Sequence, residues 1–151
     1  MNLEVLRQEI EADEGCKYEI YHCSEGYPTG GIGHLIIEKD TEYYGQPLGT
    51  PIPEETVKGW FERDIQISIN DCISIFNDFD NLPEDVQHVL VNMAFQLGGP
   101  RLRKFKKMIA AVNDSNWEEA AAQMEDSRWY KQTTNRATRL IDRIIIIGVP
   151  A

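Results

Sequence analysis

The run Asp13-Glu14-Gly15-Cys16-Lys17-Tyr18-Glu19-Ile20-Tyr21-His22-Cys23-Ser24-Glu25-Gly26-Tyr27-Pro28-Thr29-Gly30-Gly31-Ile32-Gly33-His34-Leu35 decides how this chain is read. Gly30, Gly31 and Gly33 fall within a few positions of one another, and Gly26 stands just upstream. Glycine clusters let a backbone turn tightly or let a second group come close. Tyr18 and Ile20, then Tyr27, Ile32 and Ile36, alternate with polar or small residues, and Ser24-Glu25-Gly26 supplies a turn. A small antiparallel sheet of two or three strands is expected. The same run carries a carboxylate, a thiol and a hydroxyl at Glu14, Cys23 and Thr29.

Upstream, Leu3, Leu6 and Ile10 recur at helical spacing, which predicts a helix over residues 2–12. Asn2 is available as its N-cap, and Gly15 as a left-handed C-terminal cap. Downstream, residues 38–53 are charged and then rich in Gly, Pro and Tyr, which is loop chemistry. Tyr43, Tyr44 and Leu48 are expected to pack. Pro53, Glu54 and Glu55 then suit the first turn of a long helix over about residues 54–77. Its apolar positions Phe61, Ile65, Ile69, Ile73 and Phe76, widened by Trp60, Ile67 and Ile75, predict burial on more than one side. Further helices are expected from Glu84 to the Gly98-Gly99 stop, over 101–112, over 117–124 and over 134–146, with caps at Asn116 and Thr134. Residues 127–130 read as a short aromatic connector, and Ile144 to Ile147 as the buried end of the last element.

A chain of 151 residues makes one domain, or two small lobes sharing a helix. The segregation of elements gives an α+β class. The expected division is an N-terminal lobe over about 13–53, the connecting helix, and a helical C-terminal lobe over 78–151 joined by the helix 2–12. No apolar run approaches the roughly 20 residues of a membrane span. Met1-Asn2-Leu3-Glu4 lacks a basic region followed by an apolar one, so no signal peptide is expected. The three cysteines are odd in number and lack metal-ligand spacing, so neither a metal site nor a disulfide framework is expected, and Cys72 reads as buried.

Net charge is −10 and uneven. Up to Pro100 there are 19 acidic residues against 5 basic, and from Arg101 onward 10 basic against 6 acidic. A nucleic-acid binder is therefore not expected. The cluster Arg101, Arg103, Lys104, Lys106 and Lys107 reads either as a face for an anionic partner or as a solvated helix face.

Glu14 sits where a helix ends against a glycine-rich hairpin, and a protonated carboxyl there can serve as general acid. His34 is the rival proton-transfer group. Its other reading, the preferred one, is a buried histidine bonded to a carboxylate on the long helix.

Asp13-Glu14-Gly15, Ile20-Tyr21, Glu25-Gly26-Tyr27, Thr29 and Gly31-Ile32-Gly33-His34-Leu35 closely resemble the phage-type lysozymes. The resemblance continues through Asn92-Met93-Ala94-Phe95-Gln96-Leu97-Gly98, Trp117-Glu118-Glu119-Ala120-Ala121, Ser127-Arg128-Trp129-Tyr130 and Asn135-Arg136-Ala137. It implies a lysozyme-like fold whose two lobes flank a glycan-binding cleft. It implies hydrolysis of the β-1,4 bond after N-acetylmuramic acid in bacterial peptidoglycan, without a cofactor. Carried over by position, Glu14 matches the general acid and Thr29 a threonine that helps hold the attacking water. Glu25, Leu35, Phe95 and Gln96 match residues lining the cleft. Arg136 matches an arginine that pairs with the catalytic glutamate, and His34 with Asp64 a structural ion pair. An endolysin role follows from the resemblance: a monomer held in the host cytoplasm before lysis, released with the help of a holin, acting on the periplasmic wall.

One departure bears on chemistry. The family places an aspartate between the glutamate and the threonine, and the ungapped register puts Cys23 there. A thiol is a weaker base than a carboxylate, while its thiolate is the better nucleophile. Three outcomes stay open: hydrolysis by Glu14 and a Thr29-held water, a covalent thioglycoside at Cys23, or a weakened enzyme that binds glycan. A lytic transglycosylase, which needs one carboxyl acid, is the intermediate alternative. The acidic balance is a second departure, because long-range attraction to an anionic wall is missing.

Overall fold

A computed structural model describes residues 1–150. Among them eight α-helices accompany one three-stranded antiparallel sheet, so the class is α+β. The chain divides into two compact units, Glu4–Ile67 and Met1–Leu3 with Ser68–Ala151. Among the described residues no helix is long and apolar enough to cross a membrane.

In the first unit, α1 (Leu3–Glu14) precedes β1 (Lys17–His22), β2 (Pro28–Gly31) and β3 (His34–Leu35). The helix runs two residues past the expected end, which puts Glu14 in its last turn. Gly15 then stops it at φ +75°, its N–H donating to Glu11 O at 2.8 Å. The sheet order is β1-β2-β3, with Tyr21 opposite Thr29 and Thr29 opposite Leu35. The register slips between Lys17 and Tyr21. On the other edge of β1 the loop backbone pairs: Ile20 N–H donates to Thr50 O, and Ile52 N–H to Tyr18 O. An exposed strand edge is thus covered by the chain's own loop. Leu6, Ile10, Ile20, Ile32, Ile36, Ile52, Val57 and Trp60 form the core of this unit.

The helix 2–12 was expected to join the C-terminal lobe. From Glu4 onward it instead belongs with the sheet. Its apolar stripe, Leu6 and Ile10, is buried, and Arg7 Nε meets Glu62 Oε1 at 2.6 Å. The dividing point lies inside α2 (Glu54–Ile75), between Ile67 and Ser68. Ile67 and Ile73 of α2 are exposed, so its apolar surface is narrower than the composition suggested. In the loop Tyr43 packs edge-on against Trp60 at 5.4 Å, whereas Tyr44 and Leu48 face solvent.

The second unit continues from Ser68 through a 3-10 turn at Phe79–Asn81 into α3 (Glu84–Leu97), α4 (Gly99–Leu102), α5 (Lys106–Asn113), α6 (Trp117–Glu125), α7 (Arg128–Gln132) and α8 (Thr134–Gly148). Val86 through Ala94 are all buried, making α3 the centre of this unit. The single helix expected over 101–112 is two, because a turn at Arg103 and Lys104 interrupts it. Asn116 caps α6 as expected, its side chain accepting from Glu119 N at 3.2 Å. The aromatic connector is itself a helix, α7, capped by Ser127. Thr134 lies within α8 and donates its hydroxyl to Tyr130 O at 2.8 Å, so it is no N-cap. Of the four consecutive isoleucines only Ile144 is fully buried, and Ile146 is 68% exposed. A 3.6-residue period puts Ile144 in line with Ala137, Leu140 and Ile141 and turns the next residues outward.

Candidate active site

Glu14 is half-buried in the last turn of α1. Its carboxyl lies over Gly33, so close that a Cβ on Gly33 would stand 2.6 Å from Glu14 Oε1. Gly33 belongs to the tight connection between β2 and β3 and has φ +63°. The glycine run therefore does what its composition allowed. It turns the chain and lets an acidic side chain come close.

The β1–β2 turn fixes the next two candidates through one backbone atom. Tyr27 O accepts from Cys23 N at 3.0 Å and from Thr29 Oγ1 at 2.9 Å. Gly26 N closes the turn on Cys23 O at 2.8 Å, with Gly26 at φ +85°. Thr29 is buried on the middle strand and Cys23 is half-buried. Because the Thr29 proton goes to Tyr27, the hydroxyl oxygen keeps lone pairs to accept a bond from a water. Tyr21, opposite Thr29, is half-buried. Burial raises the pKa of its phenol first, and the charges of Glu14, Cys23 and Cys16 add to the shift. Glu25 and Leu35 are both exposed, on the turn and on β3.

His34 stands between two carboxylates. Nδ1 meets Asp64 Oδ2 at 2.7 Å, and Nε2 meets Asp40 Oδ2 at 3.0 Å. The ring stacks on Trp60 with centroids 4.2 Å apart. Burial works to lower the pKa of the imidazole, and bonds and charge from Asp64, then Asp40, outweigh it, so the net shift is upward. Both ring nitrogens are engaged, which leaves this histidine a structural post. Asp40, which also accepts from Ile37 N at 2.9 Å, was missed in the sequence because it lies in the charged start of the loop.

The remaining candidates belong to the second unit. Gln96 Oε1 accepts from Trp129 Nε1 at 2.8 Å, and Phe95 beside it is half-buried. Arg136 Nε donates to Asn92 Oδ1 at 2.9 Å. Trp129 and Asn92 are both buried, and their only signal in the sequence is that each falls in a motif quoted above. On the same unit a hollow of about 540 Å³ has Leu97, Phe105, Met108 and Trp129 among its lining and carries Arg101, Lys104, Lys106, Lys107 and Arg128. Arg103 of the basic cluster is not among them and reaches Ser74 Oγ at 3.4 Å.

The family model described as phage lysozyme matches residues 11–144. The chain belongs to the phage lysozyme family. It is 31% identical to a probable T4-type lysozyme 2 of Dictyostelium discoideum, over 90% of this chain and 91% of that one. It is 33% identical to the pre-baseplate central spike protein Gp5 of Enterobacteria phage T4, over 95% of this chain and 28% of that protein's length. A peptidoglycan hydrolase, gp36, of Pseudomonas phage phiKMV is 28% identical over 91% of this chain and 15% of its own length. The chain thus spans little more than a quarter of the phage T4 spike protein and nearly all of the Dictyostelium protein.

Proposed function

We propose that this chain is a muramidase, a glycoside hydrolase that cuts the β-1,4 bond between N-acetylmuramic acid and N-acetylglucosamine in peptidoglycan. Family membership and the names of its relatives support the class of substrate. The observation that carries the reading is Glu14, held at a helix end against a glycine in the hairpin that also presents Cys23 and Thr29.

Glu14 acts as general acid, giving its proton to the leaving glycosidic oxygen as the sugar gains oxocarbenium character. Thr29, its own proton committed to Tyr27 O, accepts a bond from the attacking water and aims it. Cys23 occupies the place of an aspartate in a supporting role, its backbone fixed by the same carbonyl. Glu25, Leu35, Phe95 and Gln96 contact glycan, and Arg136 belongs to the supporting set. The hollow ringed by Arg101, Lys104, Lys106, Lys107 and Arg128 offers short-range attraction to an anionic wall that the chain as a whole, at −10, does not provide. An endolysin setting, with cytoplasmic storage and holin-dependent release, fits this activity.

Digestion of purified peptidoglycan followed by mass spectrometry of the fragments tests the reading. New reducing ends at N-acetylmuramic acid are expected. Anhydromuramyl ends would make the protein a lytic transglycosylase. Tight binding without new ends would make it a glycan-binding protein that lost turnover through Cys23.

A further inference from the structure

We propose that Gly33 is the positioning residue for Glu14, a glycine required because the carboxyl occupies the space a Cβ would fill. The inference rests on the proposed role of Glu14 and goes further, since it assigns a residue without a side chain to the placement of the acid. Positive φ alone explains many glycines, and in this chain Gly15, Gly26 and Gly45 have it with nothing within 4 Å of an added Cβ. Gly33 is different. An added Cβ there would stand 2.6 Å from Glu14 Oε1, 2.9 Å from Cδ and 3.2 Å from Cγ. Asparagine and aspartate, which tolerate positive φ best among other residues, carry that Cβ too. Backbone conformation and the neighbouring acid thus select glycine independently.

The side chain of Glu14 is the part that can yield. A methyl at Gly33 pushes the carboxyl off its place while α1 and the sheet stay where they are. Misplacement of a reacting group by about 1 Å costs on the order of 100-fold in rate. Gly31 supplies the control, because it has φ +61° in the same hairpin and an added Cβ there meets Val57 Cγ1 at 3.0 Å, with no contact to Glu14 among its nearest atoms.

The experiment compares kcat, KM and the pH–rate profile of Gly33→Ala and Gly31→Ala on soluble peptidoglycan fragments, per folded molecule as judged by circular dichroism. Gly33→Ala is expected to lower kcat by about 10- to 100-fold with KM changed less than about threefold, and to displace the limb of the profile that reports the acid. Gly31→Ala is expected to lose stability and keep the wild-type profile. A double-mutant cycle adds a second reading. Glu14→Asp, whose carboxyl is one methylene shorter, should cost less in the Gly33→Ala background than in the wild type, and the same amount in Gly31→Ala as in the wild type. Equal kinetics for the two glycine variants, with additive effects in the cycle, would overturn the proposal. Glu14→Gln keeps the two readings apart. If it is inactive while Gly33→Ala behaves like Gly31→Ala, only the positioning role fails, whereas an active Glu14→Gln removes the acid role and with it the reason for positioning.

Discussion

His34 Nδ1 lies 2.7 Å from Asp64 Oδ2, tying the last strand of the sheet to the long helix. Asp40 closes the other side of the ring at 3.0 Å, and Trp60 stacks against its face. The folded-state pKa of His34 is raised, so the folded protein holds this proton more tightly than the unfolded chain does. The stabilisation is therefore complete below the unfolded value of about 6.5 and fades as pH rises through the folded-state value. Unfolding free energies of wild type and His34→Asn from urea titrations should differ most near pH 6, by about 1–3 kcal/mol, and the gap should narrow toward pH 9. A difference that grows with pH would contradict this account of the site.

The turn at Cys23 leads to a prediction on chemistry. If the thiol only supports a water-mediated reaction, Cys23→Ser should stay within a few-fold of wild-type turnover, and Cys23→Asp should raise it by restoring a carboxylate. Steady-state rates on peptidoglycan decide this. Abolition by serine, together with a glycan-sized mass increase on the wild-type cysteine, would establish covalent catalysis instead.

Thiol reactivity should follow burial. Cys16 is exposed, Cys23 half-buried and Cys72 fully buried, and burial pushes the Cys72 thiol above its ordinary range. Alkylation of the native protein, read by mass spectrometry, should label Cys16 first and Cys72 only after unfolding. Early labelling of Cys72 would mean that the second unit opens locally under native conditions.

The bond from Trp129 Nε1 to Gln96 Oε1 gives a stability prediction within the second unit. Trp129 is 3% exposed, so Gln96→Leu leaves a buried indole N–H without its acceptor. A loss of about 1–3 kcal/mol is expected in denaturant unfolding. No loss would show that another group takes over the bond.

Much of this architecture was legible in the sequence. The hairpin, the Gly15 stop, the Asn116 cap and the helical run ending at Gly98 follow from local chemistry, where one residue type suits one backbone conformation. The rest is decided by tertiary packing. The period of α8 puts Ile144 inward and Ile146 outward, although the four isoleucines look alike in sequence. The membership of α1 depends on which surface buries Leu6 and Ile10, and helical spacing does not say which. Asp40 was invisible as a partner of His34, because only the folded loop brings it to the ring. In the site, residue type pointed to Glu14, Cys23 and Thr29. That Tyr27 O holds two of them, and that Gly33 makes room for the third, are backbone properties with no sequence signature of their own.

The turnover of Glu14→Gln on purified peptidoglycan tests most directly whether Glu14 supplies the proton for glycosidic cleavage. The amide keeps the shape of the side chain and cannot donate an acidic proton. A folded Glu14→Gln protein whose rate of reducing-end release falls by at least about 100-fold is the predicted result. Release within a few-fold of wild type, from protein shown to be folded, would contradict it.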